Sequence, residues 1–124
     1  MSGKKVFIIE QDRITSLDLK NKLENAGYSA DHVTSFVDTR FSMENNVPDL
    51  VVAYSDMRQM KGFDTFRSVF VENKTPIICI GTKSDFETQV VCKELNIVGM
   101  FMKPFDSRDL IAFAENYLAD AVTK

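Results

Sequence analysis

Long hydrophobic runs are what this chain of 124 residues most plainly lacks. No stretch approaches the roughly 20 apolar residues that span a bilayer. The short run Val6-Phe7-Ile8-Ile9 behind Lys4 and Lys5 is too brief for a signal h-region, and it meets Glu10 and Asp12 at once. Neither a membrane span nor a secretory leader is expected. Cysteine is scarce as well: Cys79 and Cys92 each sit in an apolar segment. That pattern points to buried thiols in a reducing compartment, not to a disulfide framework or a metal site, so the expected location is cytoplasmic. With 3 prolines and 5 glycines there is no linker-like or low-complexity tract. An excess of basic charge is missing too: 15 Lys+Arg stand against 18 Asp+Glu, a formal net charge of -3. Nucleic acid and membrane surfaces are usually bound by a concentrated basic patch, so neither is expected as a partner.

What the chain does have is a hydrophobic share of 44% over a length that suits one globular domain, taken here as residues 1–124, with no room for a second full domain. Short apolar runs at 6–9, 50–54, 76–80 and 98–102 alternate with segments long enough for helices, which is a βα repeat. Leu50-Val51-Val52-Ala53 and Ile77-Ile78-Cys79-Ile80 are apolar without alternation, as strands covered on both faces of a parallel sheet are. A weaker strand at 28–33 follows the helix stop at Gly27. Five strands and five helices are predicted. In the first helix Leu19, Leu23 and Ala26 share a face, while Ile14 and Leu17 point elsewhere. Phe63, Phe66 and Phe70 mark the third. In the last, Leu110, Ala114, Tyr117, Leu118 and Ala121 form one stripe behind an Asp106 N-cap. The second, around 36–45, and the fourth, around 86–95, have blurred stripes.

Open parallel sheets bind ligands at the carboxyl ends of their strands. Those ends carry Glu10-Gln11-Asp12, Tyr54-Ser55-Asp56, Gly81-Thr82 and Lys103-Pro104. A lysine above strand ends among acidic residues either binds a phosphoryl oxygen or simply neutralises an acidic corner. His32, the only histidine, has no companion at ligand spacing and is expected at a surface or strand edge. Thr82-Lys83-Ser84-Asp85 is similar to a guanine-recognition element, but no phosphate-gripping glycine-rich loop follows the first strand.

In order and spacing, four fragments together resemble the bacterial response-regulator receiver domain: Val6-Phe7-Ile8-Ile9-Glu10-Gln11-Asp12, Pro48-Asp49-Leu50-Val51-Val52-Ala53-Tyr54-Ser55-Asp56-Met57 with Gly62 beyond, Pro76-Ile77-Ile78-Cys79-Ile80-Gly81-Thr82, and Lys103-Pro104-Phe105. The resemblance covers almost the whole chain. It implies a doubly wound (βα)5 flavodoxin-like fold of strand order 2-1-3-4-5. It also implies transfer of a phosphoryl group from a histidine kinase to an aspartate ending the third strand, with one Mg2+.

The departures bear on that chemistry. The resemblance puts Tyr54 at the acceptor position. A phenol, with a pKa of about 10, is a poor nucleophile at neutral pH and supplies no full charge for Mg2+. The family's acidic pair falls on Glu10 and Gln11, its switch hydroxyl on Gly81 with Thr82 one residue late, and its aromatic switch on Met100. Lys103 keeps the family residue, with a cis step expected before Pro104. The expectation is a phosphorylation-independent signalling and interaction module, a pseudo-receiver and not an enzyme, with no catalytic residue, metal or cofactor. Glu10, Gln11, Tyr54, Asp56, Gly81, Thr82 and Lys103 would form its degenerate phosphorylation site. Glu10 should pair with Lys103, and the Tyr54 ring should fill the pocket with its hydroxyl near that pair; a strand-end aromatic with no signalling role fits the sequence equally. The expected partner is a signalling protein or another domain of a longer chain. The family's fourth helix, fifth strand and fifth helix would offer an output or homodimer face around Val90, Val91, Leu95 and Met100. The competing possibility is an active phosphotransfer receiver using Asp56 with Mg2+.

Overall fold

The computed structural model describes residues 4–10, 12–32, 47–54, 63–82 and 95–118. Five parallel strands, β1 (Lys5–Ile9), β2 (Ser29–His32), β3 (Leu50–Tyr54), β4 (Ile77–Gly81) and β5 (Ile97–Met102), form one sheet in the order β2-β1-β3-β4-β5. Three helices are described: α1 (Arg13–Asn25), α2 (Phe63–Asn73) and α3 (Ser107–Leu118). The helices expected around 36–45 and 86–95 fall outside the described residues, apart from Leu95.

The unbroken apolarity of the central strands has its cause in two cores, one on each face of the sheet. Val6 and Ile8 of β1, Leu50 and Val52 of β3, and Ile78 and Ile80 of β4 pack against Leu19 and Leu23 of α1 and Leu110, Ala114 and Leu118 of α3. The alternate residues Phe7, Ile9, Val51, Ala53, Ile77 and Cys79 pack with Phe70 of α2 and with Leu95. The apolar side chains at the centre of these three strands therefore meet covered faces on both sides, and no polar alternation is needed. The edge strand β5 differs: its run is equally apolar, yet Met100 and Met102 are exposed.

Helix α1 shows how local chemistry sets the frame of the site. Asp12 is its N-cap, with extended backbone, and its Oδ1 accepts from Ile14 N at 3.3 Å while its Oδ2 accepts from Thr15 Oγ1 at 2.5 Å. Gly27, at φ 98, ends the helix in a conformation that costs a residue with a Cβ more. Ser16, Leu19 and Leu23 face the sheet, and Ile14 and Leu17 point outward as their spacing predicts. Ala26 is exposed, not part of the buried stripe, because the helix has already ended there. In α3 the inner stripe runs through Ile111 and not through Tyr117, which is exposed at the edge of the packed face. Asp106 caps α3 as expected, its Oδ1 accepting from Arg108 N at 2.9 Å.

β5 and α3 approach closely at Gly99, where an added Cβ would lie 2.6 Å from Cε2 of Phe113. That ring is already set edge-on to Phe101, with centroids 5.7 Å apart, and tilted against Tyr117. Gly99→Ala must displace it and is expected to lower stability by about 1–3 kcal/mol. Chemical denaturation checks this, and an unchanged midpoint would mean that the Phe113 ring moves aside without cost.

Candidate functional site

The carboxyl ends of β1, β3, β4 and β5 bring the acidic first loop and the lysine together. Parallel pairing sets Ile9 beside Ala53, Tyr54 beside Ile80 and Gly81 beside Met102. The next residues along the chain, Glu10 and Lys103, therefore leave the sheet at the same end. Three strand spacings of about 4.8 Å separate β1 from β5, farther than a lysine stem reaches, so the chain after Met102 has to turn back over the strand ends. It does so through a backbone bond from Lys103 N to Gly81 O at 2.7 Å and a cis Lys103–Pro104 peptide, the step expected from the family resemblance.

Lys103 Nζ reaches Glu10 Oε1 at 3.0 Å, the pairing that the sequence suggests. The Glu10 side chain is only 3% exposed and that of Lys103 is 35%. Oε1 has no aligned hydrogen bond, so the ammonium holds it mainly by charge. Oε2 accepts from the backbone N of Asp12 at 2.9 Å, tying the carboxylate to the start of α1.

Two neighbours take roles at the site that the sequence reading did not assign to them. Asp12 serves the helix: the Thr15 hydroxyl, together with the Ile14 and Thr15 amides, holds its carboxyl below the ordinary range. Aspartate directly before a helical run, three residues ahead of a threonine, was the available signal. His32 ends β2, and its Nε2 lies 2.9 Å from the main-chain oxygen of Glu10. A carbonyl only accepts, so Nε2 carries the hydrogen. The strand-edge expectation for His32 holds, but parallel register with Ile8 places that edge directly beside Glu10. Farther out, a hydrogen-bonded Lys22 and the Ser107 hydroxyl hold the Asp18 carboxyl low, and the Arg108 guanidinium does the same to Asp106.

The other predicted residues are placed less directly. Tyr54 is half-buried and packs against the second core cluster. Alternation along β3 would have sent its ring to the face of Leu50 and Val52. Gly81 is buried and meets the site through its carbonyl, whereas Thr82 is exposed. Gln11, Asp56, Val90 and Val91 lie outside the described residues. Met100 is 51% exposed, as a docking residue must be. Leu95 is not: it is 6% exposed and belongs to the apolar cluster of Phe7, Ile9 and Phe70, where burial gains more than exposure to a partner would. It is withdrawn from the proposed partner face.

A five-stranded, doubly wound parallel sheet with an acid–lysine pair at its carboxyl end defines a flavodoxin-like α/β domain. The chain belongs to the response regulator receiver domain family, whose sequence profile matches residues 6–115. It is 24% identical over 107 residues to the response regulator protein GraR of Staphylococcus saprophyticus, covering 86% of this chain and 48% of that protein. It is 25% identical over 114 residues to the transcriptional activator protein IrlR of Burkholderia pseudomallei, covering 92% and 50%. The chain thus spans about half the length of these relatives. Among solved structures, the receiver domain of the TMAO respiratory system response regulator TorR superposes with a TM-score of 0.77 at 22% identity, covering 94% of this chain and 98% of that one. Membership makes the domain a two-component signalling module and not an enzyme. Among the described residues no helix is long and apolar enough to cross a membrane.

The family implies Mg2+, and the described residues do not fit it. Mg2+ takes near-octahedral oxygen ligands, commonly more than one carboxylate. Here the ammonium of Lys103 stands against Glu10 Oε1, Asp12 is committed to its helix cap, and the described residues hold no group of three or more acidic, histidine or cysteine side chains placed for a metal.

Proposed function

We propose that residues 1–124 act as a phosphorylation-independent receiver, an interaction module whose conformation is set without phosphate. The observation that carries this is the pairing of Lys103 with the buried carboxylate of Glu10. In this proposal the lysine is already neutralised by the carboxylate of the first loop, and Tyr54, at the position where the family has its acceptor aspartate, supplies no carboxylate to be phosphorylated. Gly81 supplies no hydroxyl to turn toward a phosphate. Tyr54 would act as a fixed strand-end aromatic, with its hydroxyl toward the Glu10–Lys103 pair. The partner is a signalling protein or another domain of a longer chain. The exposed Met100 on the edge strand β5 supports contact there, either with that partner or with a second copy, together with Val90 and Val91 of the preceding segment.

Incubation with acetyl phosphate and Mg2+, followed by intact-mass measurement, tests the central claim. No phosphoryl adduct is expected, under conditions where a receiver with an acceptor aspartate is modified. An adduct mapped to Asp56 or Asp12 would overturn it in favour of an active phosphotransfer domain with an unusual acceptor.

A further inference from the structure

Parallel register at the edge of the sheet sets Ile78 beside Gly99, Cys79 beside Met100, Ile80 beside Phe101 and Gly81 beside Met102. Phe101 packs on the cluster that holds Ile78 and Ile80, and a Cβ added at Gly99 would meet Phe113 on that same side. Side chains alternate along a strand, so Met100 and Met102 belong to the opposite face, the face of Cys79. Two adjacent strands thus carry three sulfur atoms on one surface.

Their spacing suits a shared ligand. Neighbours across two strands lie about 4.8 Å apart and residues two apart along one strand about 6.6 Å, distances that flexible thioether arms span. Met100 and Met102 are 51% and 52% exposed, whereas Cys79 is 5% exposed. The thioethers stand at the solvent edge, and the thiol lies further in. Lys103, next along the chain, sends its ammonium to Glu10 at 3.0 Å and is neutralised there. The one histidine, His32, ends β2 at the opposite edge of the sheet, and the described residues hold no group of three or more acidic, histidine or cysteine side chains placed for a metal. Thioethers and a thiolate select a soft cation such as Cu(I), whereas Zn2+ takes several anionic sulfur or imidazole ligands.

We propose that Cys79, Met100 and Met102 form a site for one soft monovalent cation of the Cu(I) class. On binding, the Cys79 S–H bond breaks, its proton leaves to water and the sulfur bonds the cation. The copper stays Cu(I) throughout, so no oxidant or reductant is needed. Metal binding drives an ionisation that the apolar cluster around Cys79 otherwise opposes. Cysteine spacing does not announce such a site, because two of its three donors are methionines. The site stands apart from the proposal of phosphorylation-independent signalling, since it does not depend on what Tyr54 does.

The test titrates Cu(I) under nitrogen, against the competing chelator bicinchoninate, into the chain carrying Cys92→Ala, so that Cys79 is its single thiol. Carbon-13 methionine methyl signals report the ligands. One equivalent is expected to bind, shifting the methyls of Met100 and Met102 among the 6 methionines. Met100→Leu with Met102→Leu conserves volume at exposed positions. It should weaken binding by more than the roughly 10–100-fold that loss of a mere outer-shell partner costs. Cys79→Ala should weaken it at least as much, and Zn2+ should leave the methyl signals in place. Binding that survives the double leucine variant, shifts confined to other methionines, equal shifts with Zn2+, or a chain that takes no Cu(I) from bicinchoninate would each overturn the proposal.

Discussion

Leu95→Asp lowers the unfolding free energy by more than about 4 kcal/mol, while Met100→Asp, five residues along, changes it by about 0.5 kcal/mol or less. Both residues lie on the segment that the sequence marks as a docking face. Leu95 packs among Phe7, Ile9, Val51 and Phe70, so an aspartate there has to enter an apolar cluster. Met100 is half-exposed on the outer strand, where a carboxylate keeps its water. The milder Leu95→Ala should already cost about 2–5 kcal/mol through the cavity that it leaves. Urea unfolding of the three variants measures this directly. A Leu95→Asp variant within about 1 kcal/mol of the parent would return Leu95 to the surface and to the candidate partner face. The difference also governs how binding experiments are read, since loss of a partner on changing Leu95 would report unfolding, whereas loss on changing Met100 would report contact.

The two residues show why some positions were legible in the sequence and others were not. Strands β1, β3 and β4 could be read because both of their faces are covered, which makes the apolar run continuous. The run of β5 looks the same in sequence, but it lies at the edge of the sheet, and its exposed methionines cannot be told from core residues by hydropathy alone. Ile14 and Leu17 could be placed outward because the helical period fixes a face once Leu19 and Leu23 define the core. Tyr117 and Ile111 could not be sorted in the same way: both border the stripe of α3, and which of them is buried depends on how the helix is rotated against β3 and β4. At the site, the pairing of Glu10 with Lys103 was legible because topology carries both to one end of the sheet. The role of His32 was not, since a lone histidine carries no pattern, and only the register of β2 on β1 brings it to the carbonyl of Glu10.

Register also explains why the acid–lysine pair should be stiff, and this leads to the second large effect. Lys103→Met keeps the length of the stem and removes the charge, leaving the Glu10 carboxylate 3% exposed with, among the described residues, the Asp12 amide as its remaining partner. Orphaning a buried charge typically costs about 3–5 kcal/mol, and because Lys103 is itself about a third exposed, the expected loss lies near the lower end, at about 2–3 kcal/mol. The reverse substitution should be gentler. Glu10→Gln leaves an ammonium that can turn toward solvent, and the new side-chain carbonyl can still accept from Asp12. The double variant Glu10→Gln with Lys103→Met should therefore be more stable than Lys103→Met alone, with a coupling of about 1–3 kcal/mol in a double-mutant cycle. Additive losses would mean that the two groups are merely near each other, and that the carboxyl end of this sheet is not held by their charges. A clear coupling would show that the carboxyl end of this sheet is held by the charges of Glu10 and Lys103, by a measurement that needs neither partner nor phosphate.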